Sequence, residues 1–206
     1  MRERTFYETD DGLMLHFKPV KEDEIKIVES NDGKTKIVGY LTYDEDPDID
    51  WLKEDEYFHL ACFSRKFAVN PLKLSLEEAR ELYKENNSPK YYVFGVEAYI
   101  HGGVVLDLEG EGDFVDRAWD VSLVGVLLAE KKYFNSYQES KEGAREYIEE
   151  WNKYLRGDVY GIVIEKFENG SNQGEVVDGE WGYLEQEYAE EELEALMNSY
   201  KKEVEG

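Results

Sequence analysis

Two short apolar runs, at residues 91–100 and 121–129, place the strongest constraint on how this chain folds. Each run has the length of a strand and is rich in β-branched or aromatic residues. A third apolar stretch, at residues 104–108, follows the turn His101-Gly102-Gly103. Strands that flank a polar loop commonly display a site on a rigid support. We therefore predict a central sheet over residues 91–183, with a candidate site in its loops.

The remainder of the chain alternates short strands with amphipathic helices. Residues 1–43 read as an antiparallel β meander, in which Asn31-Asp32-Gly33 supplies a hairpin turn. We predict a single α+β domain over residues 1–206, with a largely antiparallel sheet and about three helices. The predicted helices cover residues 75–86, 140–155 and 187–203, the last of them acidic. Further strands are predicted at residues 57–70, 158–167 and 175–183.

The helix signals are local and specific. Ser75 and Glu78 have the spacing of a capping box, in which each side chain accepts a hydrogen bond from the backbone of the other residue. Gly157 stands where a glycine ends the second helix. Trp151 lies at the centre of that helix's apolar face. We therefore expect Trp151 to be buried against the sheet.

The net charge of −24 is unevenly distributed along the chain. Residues 38–60, 97–120 and 165–206 carry net charges of −7, −6 and −10, so the remainder is nearly neutral. Direct nucleic-acid binding needs clustered Lys and Arg, and such acidic segments disfavour it. A basic host protein is the expected partner. An acidity that only maintains solubility is the alternative.

The acidic segment 44–56 is predicted to be a surface loop anchored by Trp51. Its alternating Asp residues are reminiscent of a calcium loop, but Ile49 stands where an EF-hand needs glycine. We therefore predict no metal site here and interpret the segment as a partner-binding surface. Its candidate contact residues are Asp44, Asp46, Asp48, Asp50, Trp51, Glu54, Asp55 and Glu56.

His101 is the strongest catalytic candidate, because two glycines after it permit close approach of a ligand. It could act with Asp107, Asp116 or Asp120, although the spacing matches no metal-ligand signature. The alternative is a structural His101 that bonds a loop carbonyl or Asp120. Cys62, the one cysteine, reads as a core residue. The chain contains no nucleotide-binding or hydrolase signature, and we expect no cofactor.

Six segments follow one another along the chain: Asp44–Trp51, Ala61–Arg65, Tyr99–Gly103, Trp119–Gly125, Tyr154–Gly161 and Glu180–Gly182. In the same order they resemble an Asp-rich stretch before Trp, a "CFHRRY"-like strand, "HSG", "WDSGQVG", "YLxGDVYG" and a late Trp-Gly. These motifs are those of a family of bacteriophage and mobile-element proteins, which the chain therefore resembles. Ser64 and Leu123 depart from the pattern, standing where a His and a polar residue are expected. The resemblance implies a mobile-element origin and brings no activity with it.

Together these observations favour a non-enzymatic acidic binding protein in the cytoplasm of the host cell. We expect it to mimic nucleic acid and to inhibit a host defence factor of the restriction or CRISPR type. Neither a signal peptide nor a membrane-spanning run is recognisable, so no membrane partner is expected. Two alternatives remain open: a metal-dependent hydrolase that uses His101 and nearby Asp residues, and a phage protein whose acidity serves only solubility.

Overall fold

The computed structural model describes residues 6–86, 88–114 and 120–205. Within these residues it contains four helices and eleven strands, and the sheets are antiparallel. The predicted α+β class with a largely antiparallel sheet is therefore confirmed. The chain divides into two compact units. The terminal unit contains both chain ends, up to Pro47 and from Gly157 onward, and the central unit is Asp48–Arg156.

The terminal unit is built on a four-stranded sheet in the order β11-β10-β4-β3. Its strands are β3 (Lys26–Glu29), β4 (Thr35–Tyr43), β10 (Tyr160–Glu168) and β11 (Glu175–Tyr183). A separate two-stranded sheet pairs β1 (Tyr7–Glu8) with β2 (Met14–Leu15). The expected N-terminal meander is thus only partly present, because β4 pairs with β3 on one side and with the distant β10 on the other.

Side chains alternate between the two faces of this sheet. Ile37 and Ile162 lie on the face covered by helix α4 (Gln186–Glu205), where Leu193 packs against them. Val38 and Val163 lie on the opposite face with residues of the N-terminal segment. The central strands β4 and β10 are therefore covered on both faces, and β10 is buried over almost its whole length, whereas β11 is mostly exposed.

The central unit is built on a five-stranded sheet in the order β6-β5-β9-β7-β8. Its strands are β5 (Phe58–Phe63), β6 (Ala68–Val69), β7 (Tyr91–Ile100), β8 (Val104–Leu108) and β9 (Val121–Glu130). Its helices are α1 (Asp50–Lys53), α2 (Leu76–Glu85) and α3 (Tyr137–Arg156). Helix α3 covers one face of the sheet, and α2 covers part of the other.

Several predicted features are confirmed in the central unit. Ser75 and Glu78 form the capping box of α2. Trp151 is fully buried in α3, and Cys62 is a buried core residue. The strands expected to share one central sheet over residues 91–183 are instead divided between the two units. The predicted strand 57–70 is a hairpin of β5 and β6, because a turn interrupts it.

None of the helices in the described ranges is long and apolar enough to cross a membrane. Helix α3 is amphipathic, with buried residues such as Ala144 and Ile148 on one side only. Helix α4 likewise buries Ala189, Leu193 and Met197. Beside this buried face, α4 carries four of the six acidic residues that form the candidate site described below.

Candidate functional site

Of the residues predicted to act with His101, Asp120 lies beside it at the surface and Asp107 lies apart from it. The His101 ring follows β7, stacks on Tyr99 with a centroid distance of 6.0 Å, and is 73% exposed. Its Nδ1 atom lies 3.4 Å from Asp120 Oδ2. The partner expected for a structural His101 is therefore present, although the pair lies at the surface. Because His101 is largely exposed, the pair of His101 and Asp120 does not hold a proton donor or acceptor in a pocket that excludes water.

Asp107 belongs to a different part of the sheet. Asp107 pairs with Glu97 of β7. Glu97 precedes His101 by four residues, so about 13 Å of extended chain separates these two positions. Burial raises the pKa of Asp107, and its carboxylate accepts a hydrogen bond from the Leu108 N–H at 2.7 Å. Asp116 lies outside the described residues. Among those described, no group of three His, Cys, Asp or Glu side chains is arranged to hold a metal ion.

The acidic segment 44–56 uses several of its carboxylates to shape its own backbone. Asp44 accepts from the Asp46 N–H at 3.2 Å, and Asp48 accepts from the Asp50 N–H at 2.9 Å. Asp55 accepts from two backbone N–H groups that follow it. Such short-range bonds fix a turn and leave the carboxylate charge in place. The segment continues from the terminal unit into the central unit, which begins at Asp48.

The anchor of this segment is Leu52 and not Trp51, so the expected anchor was wrong. Trp51 is 49% exposed, whereas Leu52 is buried in the core of the central unit. The Tyr147 hydroxyl donates a hydrogen bond to the Leu52 carbonyl at 2.7 Å. Trp51 and Leu52 are neighbours in the four-residue helix α1, where consecutive side chains are rotated by about 100° about the helix axis. Trp51 therefore points outward while Leu52 points into the core.

A concave acidic surface lies between α4 and the N-terminal part of the terminal unit, and we call it the acidic groove. Its volume is about 610 Å³. Helix α4 forms one wall, and the 3-10 turn Glu22–Glu24 with the start of β3 forms the other. Its lining acids are Asp23, Glu24, Glu187, Glu190, Glu191 and Glu194. Its floor is apolar and includes Leu41 and Leu193.

Two lysines partly offset these six acids. Lys21 Nζ lies 2.5 Å from Glu24 Oε1, and this carboxylate raises the pKa of Lys21 above its usual value. Lys26 Nζ lies 3.8 Å from Glu194 Oε2, at the limit of an ion pair. The groove therefore keeps an excess of four negative charges. Since Glu187 and Glu191 make no ion pair in the described part of the chain, their charges are free to face a partner.

The central unit contains a groove of the opposite character, which we call the basic groove. It lies on the α2 face of the sheet and has a volume of about 460 Å³. Arg65, Lys66 and Arg80 line it, and none of the described lining residues is Asp or Glu. The apolar lining includes Phe63 and Leu123. Three of the six segments that resemble the mobile-element family contribute lining residues to this groove. Phe63, Ser64 and Arg65 come from the first, Ile100 from the second, and residues 122–125 from the third.

A β-bulge shapes the basic groove. Val96 pairs with Gly125 and Glu97 pairs with Leu123, so Val124 is an extra residue in β9. A side chain at Gly125 would begin 2.0 Å from the Ala61 carbonyl oxygen, so only glycine allows β5 and β9 to approach this closely. A bulge bends its strand and changes the direction of side chains beside it. Leu123 consequently stands 48% exposed in the groove.

Sequence reasoning missed a buried polar cluster in the terminal unit. Glu165 is fully buried, and its carboxylate accepts the Tyr40 hydroxyl at 2.6 Å and the His16 backbone N–H at 2.8 Å. His16 Nδ1 lies 2.9 Å from the same carboxylate. The alternation of β10 places Glu165 on an inward position, and that parity was the available signal.

Comparison with protein-family models, with curated proteins and with solved structures finds no match to this chain. The resemblance to mobile-element proteins therefore stays a prediction. Any assignment of function depends on the chemistry of the two grooves.

Proposed function

We propose that this protein is a non-enzymatic binding protein that uses acidic surfaces to occupy the nucleic-acid-binding surface of a basic host protein. In this proposal the host protein belongs to a defence system of the restriction or CRISPR type. The implied mobile-element origin is consistent with such a target. The contacts would be electrostatic, with carboxylates standing where the partner otherwise holds phosphates.

The acidic groove is the observation that carries this proposal. Six acids converge on one concave surface with only two lysines beside them. Between Glu175 and Tyr200 the sequence contains nine acidic residues and no Lys or Arg. Solubility alone requires net charge but no particular arrangement of it. A concave, one-sided concentration of charge focuses the field toward a cationic partner.

The spacing along α4 also suits a phosphate mimic. Glu187, Glu191 and Glu194 are exposed and share one face of the helix, because they are separated by four and three residues. At about 1.5 Å per residue they span about 10 Å. Successive phosphates of one DNA strand advance by about 3.4 Å, so this face matches about three phosphate steps.

The segment 44–56 is a second candidate contact in the same proposal. Its local hydrogen bonds hold carboxylates at fixed positions, and Trp51 adds an exposed ring of the kind often found at interfaces. Changing Asp46, Asp48, Asp50, Glu54 and Glu56 to Asn or Gln removes five charges and keeps the side-chain shapes. If this segment binds the partner, that variant should bind more weakly than the wild type.

The test is competition for a purified host partner, first recovered from host lysate with the immobilised protein. Affinity is measured at low and high salt, and in the presence of double-stranded DNA, single-stranded DNA or RNA. We expect affinity to fall about tenfold or more when salt is raised from about 50 to about 200 mM, because screening shortens the range of these contacts. We also expect the partner's own nucleic acid to displace the protein.

A different outcome would reject mimicry. Binding that is insensitive to salt and to every nucleic acid would show that the acids do not replace phosphates. The acidity would then serve only solubility. Catalytic turnover by the purified protein that is lost in His101→Ala would instead favour the hydrolase alternative.

A further inference from the structure

We propose that the basic groove of the central unit binds a small organic anion with an apolar body and a carboxylate or phosphate head group. This inference goes beyond the proposed function, because it concerns the other unit and the opposite charge. It is independent of whether the acidic groove binds a host protein.

The groove has the size and lining of a small-molecule site. Its volume of about 460 Å³ lies within the range of about 300–1,000 Å³ that is typical of ligand pockets. Most of its wall is apolar, with Phe63, Leu76, Val126 and Leu123 contributing side chains. Leu76 and Leu123 are each nearly half exposed, so a ligand that covers them would remove apolar surface from water.

The cations at the groove point to a negative ligand. Arg65, Lys66 and Arg80 are exposed, and they form no ion pair with any other described residue. The chain has twice as many acidic as basic residues, yet no described Asp or Glu lines this groove. Three cations and no described carboxylate in one groove lining are therefore a departure from the surrounding composition. Arginine side chains suit carboxylates and phosphates because their donors form a planar fork.

The placement of the cations relative to the apolar lining selects an amphipathic ligand. Arg65 and Lys66 follow β5, and Arg80 lies on α2 one residue after the buried Ala79. These two elements border the apolar wall formed by β9. A free inorganic anion would leave the apolar wall exposed, and an uncharged apolar molecule would leave the cations unpaired. A ligand with both parts satisfies both surfaces.

The first experiment compares two fluorescent probes of similar shape on the full chain. Anilinonaphthalenesulfonate carries an anionic head, whereas phenylnaphthylamine is uncharged. We expect the charged probe to bind at least about tenfold more tightly, as one or more charge-assisted hydrogen bonds would give. Decanoate and decyl phosphate should displace it, and their relative affinities identify the preferred head group. Decanol and inorganic phosphate should displace it much less well. Equal affinity for the two probes, or equal displacement by inorganic phosphate, would overturn the proposal.

The second experiment locates the probe with paired variants at Leu123. Because Leu123 is 48% exposed, both Leu123→Glu and Leu123→Lys should leave the fold intact. Leu123→Glu brings a negative charge into the groove and should weaken binding of the charged probe by about tenfold or more, whereas Leu123→Lys should preserve or strengthen it. Equal binding by the two variants would overturn the proposal.

Arginine substitutions complete the test. Arg65→Gln and Arg80→Gln should each weaken the charged probe about tenfold and leave the neutral probe unchanged. Lys84→Gln removes a cation of α2 that does not line the groove and is the matched control. Far-ultraviolet circular dichroism verifies that each variant is folded. Folded Arg65→Gln and Arg80→Gln variants that bind the charged probe as tightly as Lys84→Gln does would also overturn the proposal.

Discussion

At the scale of single residues, the carboxylate of Glu165 is fully buried and held by several hydrogen bonds. It lies on the buried inner face of β10, where an unpaired charge would be costly. Three donors surround it: the Tyr40 hydroxyl, the His16 backbone N–H and the His16 ring. Burial, followed by the neighbouring Glu165, raises the pKa of Tyr40, so the hydroxyl keeps its proton and remains a donor. The cluster thereby fixes the N-terminal segment to the sheet.

Tyr40→Phe tests the energetic role of this cluster. The variant removes one donor and leaves the buried carboxylate with fewer hydrogen bonds, so we expect the free energy of unfolding to fall by about 1–3 kcal/mol. Urea denaturation measures the change. Tyr43→Phe is the control, because Tyr43 is about half exposed and should change stability by less than about 0.5 kcal/mol. Equal effects of the two variants would contradict the account.

His101→Ala should have little effect on stability. Its only described ion-pair partner is Asp120 at 3.4 Å, and the side chain is largely exposed. Exposed pairs of this kind contribute about 0–1 kcal/mol. We therefore expect a change below about 1 kcal/mol in thermal or urea unfolding. A larger loss would mean that the pair of His101 and Asp120 contributes more than an exposed ion pair does.

Glu130 makes stability depend on pH. Lys132 at 2.8 Å, Lys90 at 3.1 Å and His59 at 3.4 Å surround its carboxylate. The ion pair with Lys132 is the largest cause that lowers the pKa of Glu130 to about 2. A carboxyl group with a lowered pKa stabilises the fold above its unfolded pKa, and this contribution is lost as pH falls through the folded pKa. The relevant window lies between pH 4.5 and about pH 2.

The matching measurement compares wild type with Glu130→Gln. At about pH 6 the wild type should be more stable than the variant, since the carboxylate is ionised and paired. The difference should shrink as pH is lowered toward about 2, where the wild-type group also becomes neutral. Denaturation in urea at several pH values gives both curves. A difference that stays constant across this range would show that the ion pairs do not set the pH dependence.

At the scale of whole elements, α3 protects an edge of the central sheet. Strand β8 is the last strand in the order, and its Leu106 N–H donates to Asn152 Oδ1 at 2.8 Å. Asn152 Nδ2 donates in return to the Leu106 carbonyl at 2.9 Å. The Asn152 side chain thus supplies, at Leu106, the two backbone hydrogen bonds that a further strand would make there. Edge strands with unpaired backbone groups promote aggregation, and this contact blocks one of them.

Asn152→Ala should lower the free energy of unfolding by about 1–3 kcal/mol, because the Leu106 N–H and carbonyl become buried without partners. The variant should also aggregate at a lower protein concentration in light scattering. Asn198→Ala, at an exposed position of α4, is the matched control and should do neither. If both variants behave alike, the side chain of Asn152 does not protect β8.

The elements that sequence predicted well are those whose signals are local. The capping box of Ser75 and Glu78 gives the start of α2, and Gly157 lies just after α3 with a positive φ of 79°. The glycine-rich turn between β10 and β11 likewise forms the expected hairpin. Pairing between distant segments carries no local signal, and the β4–β10 and β5–β9 pairs followed only from the structure. For this reason the sequence alone predicts one sheet for the strands of residues 91–183.

The candidate site residues also divide into those that the sequence reveals locally and those that only the fold brings together. Acidity was visible in the sequence, but its concave arrangement depends on α4 packing beside the 3-10 turn, more than 160 residues away along the chain. The basic groove was not visible, because Arg65 and Arg80 come from different elements and acquire meaning only beside β9. The two glycines after His101 mark it as a candidate in the sequence, yet the fold separates it from Asp107 along the strand direction.

At the scale of the whole molecule, charge is organised within each unit. The terminal unit concentrates acids in its groove, whereas the central unit has a groove lined by cations and apolar side chains. The excess of negative charge therefore does not describe every surface of the protein. This separation favours two different ligands, a cationic one for the first unit and an anionic one for the second.

The most direct test of the central claim compares two charge-matched variants for affinity to the purified host partner. Glu187→Gln, Glu190→Gln and Glu191→Gln together remove three charges from the acidic groove. Glu77→Gln, Glu81→Gln and Glu85→Gln remove three from exposed positions of α2. We expect the first variant to bind at least about tenfold more weakly at about 100 mM salt, and the second to bind like the wild type. Equal affinity of the two variants would contradict the account, because position in the groove would then not matter.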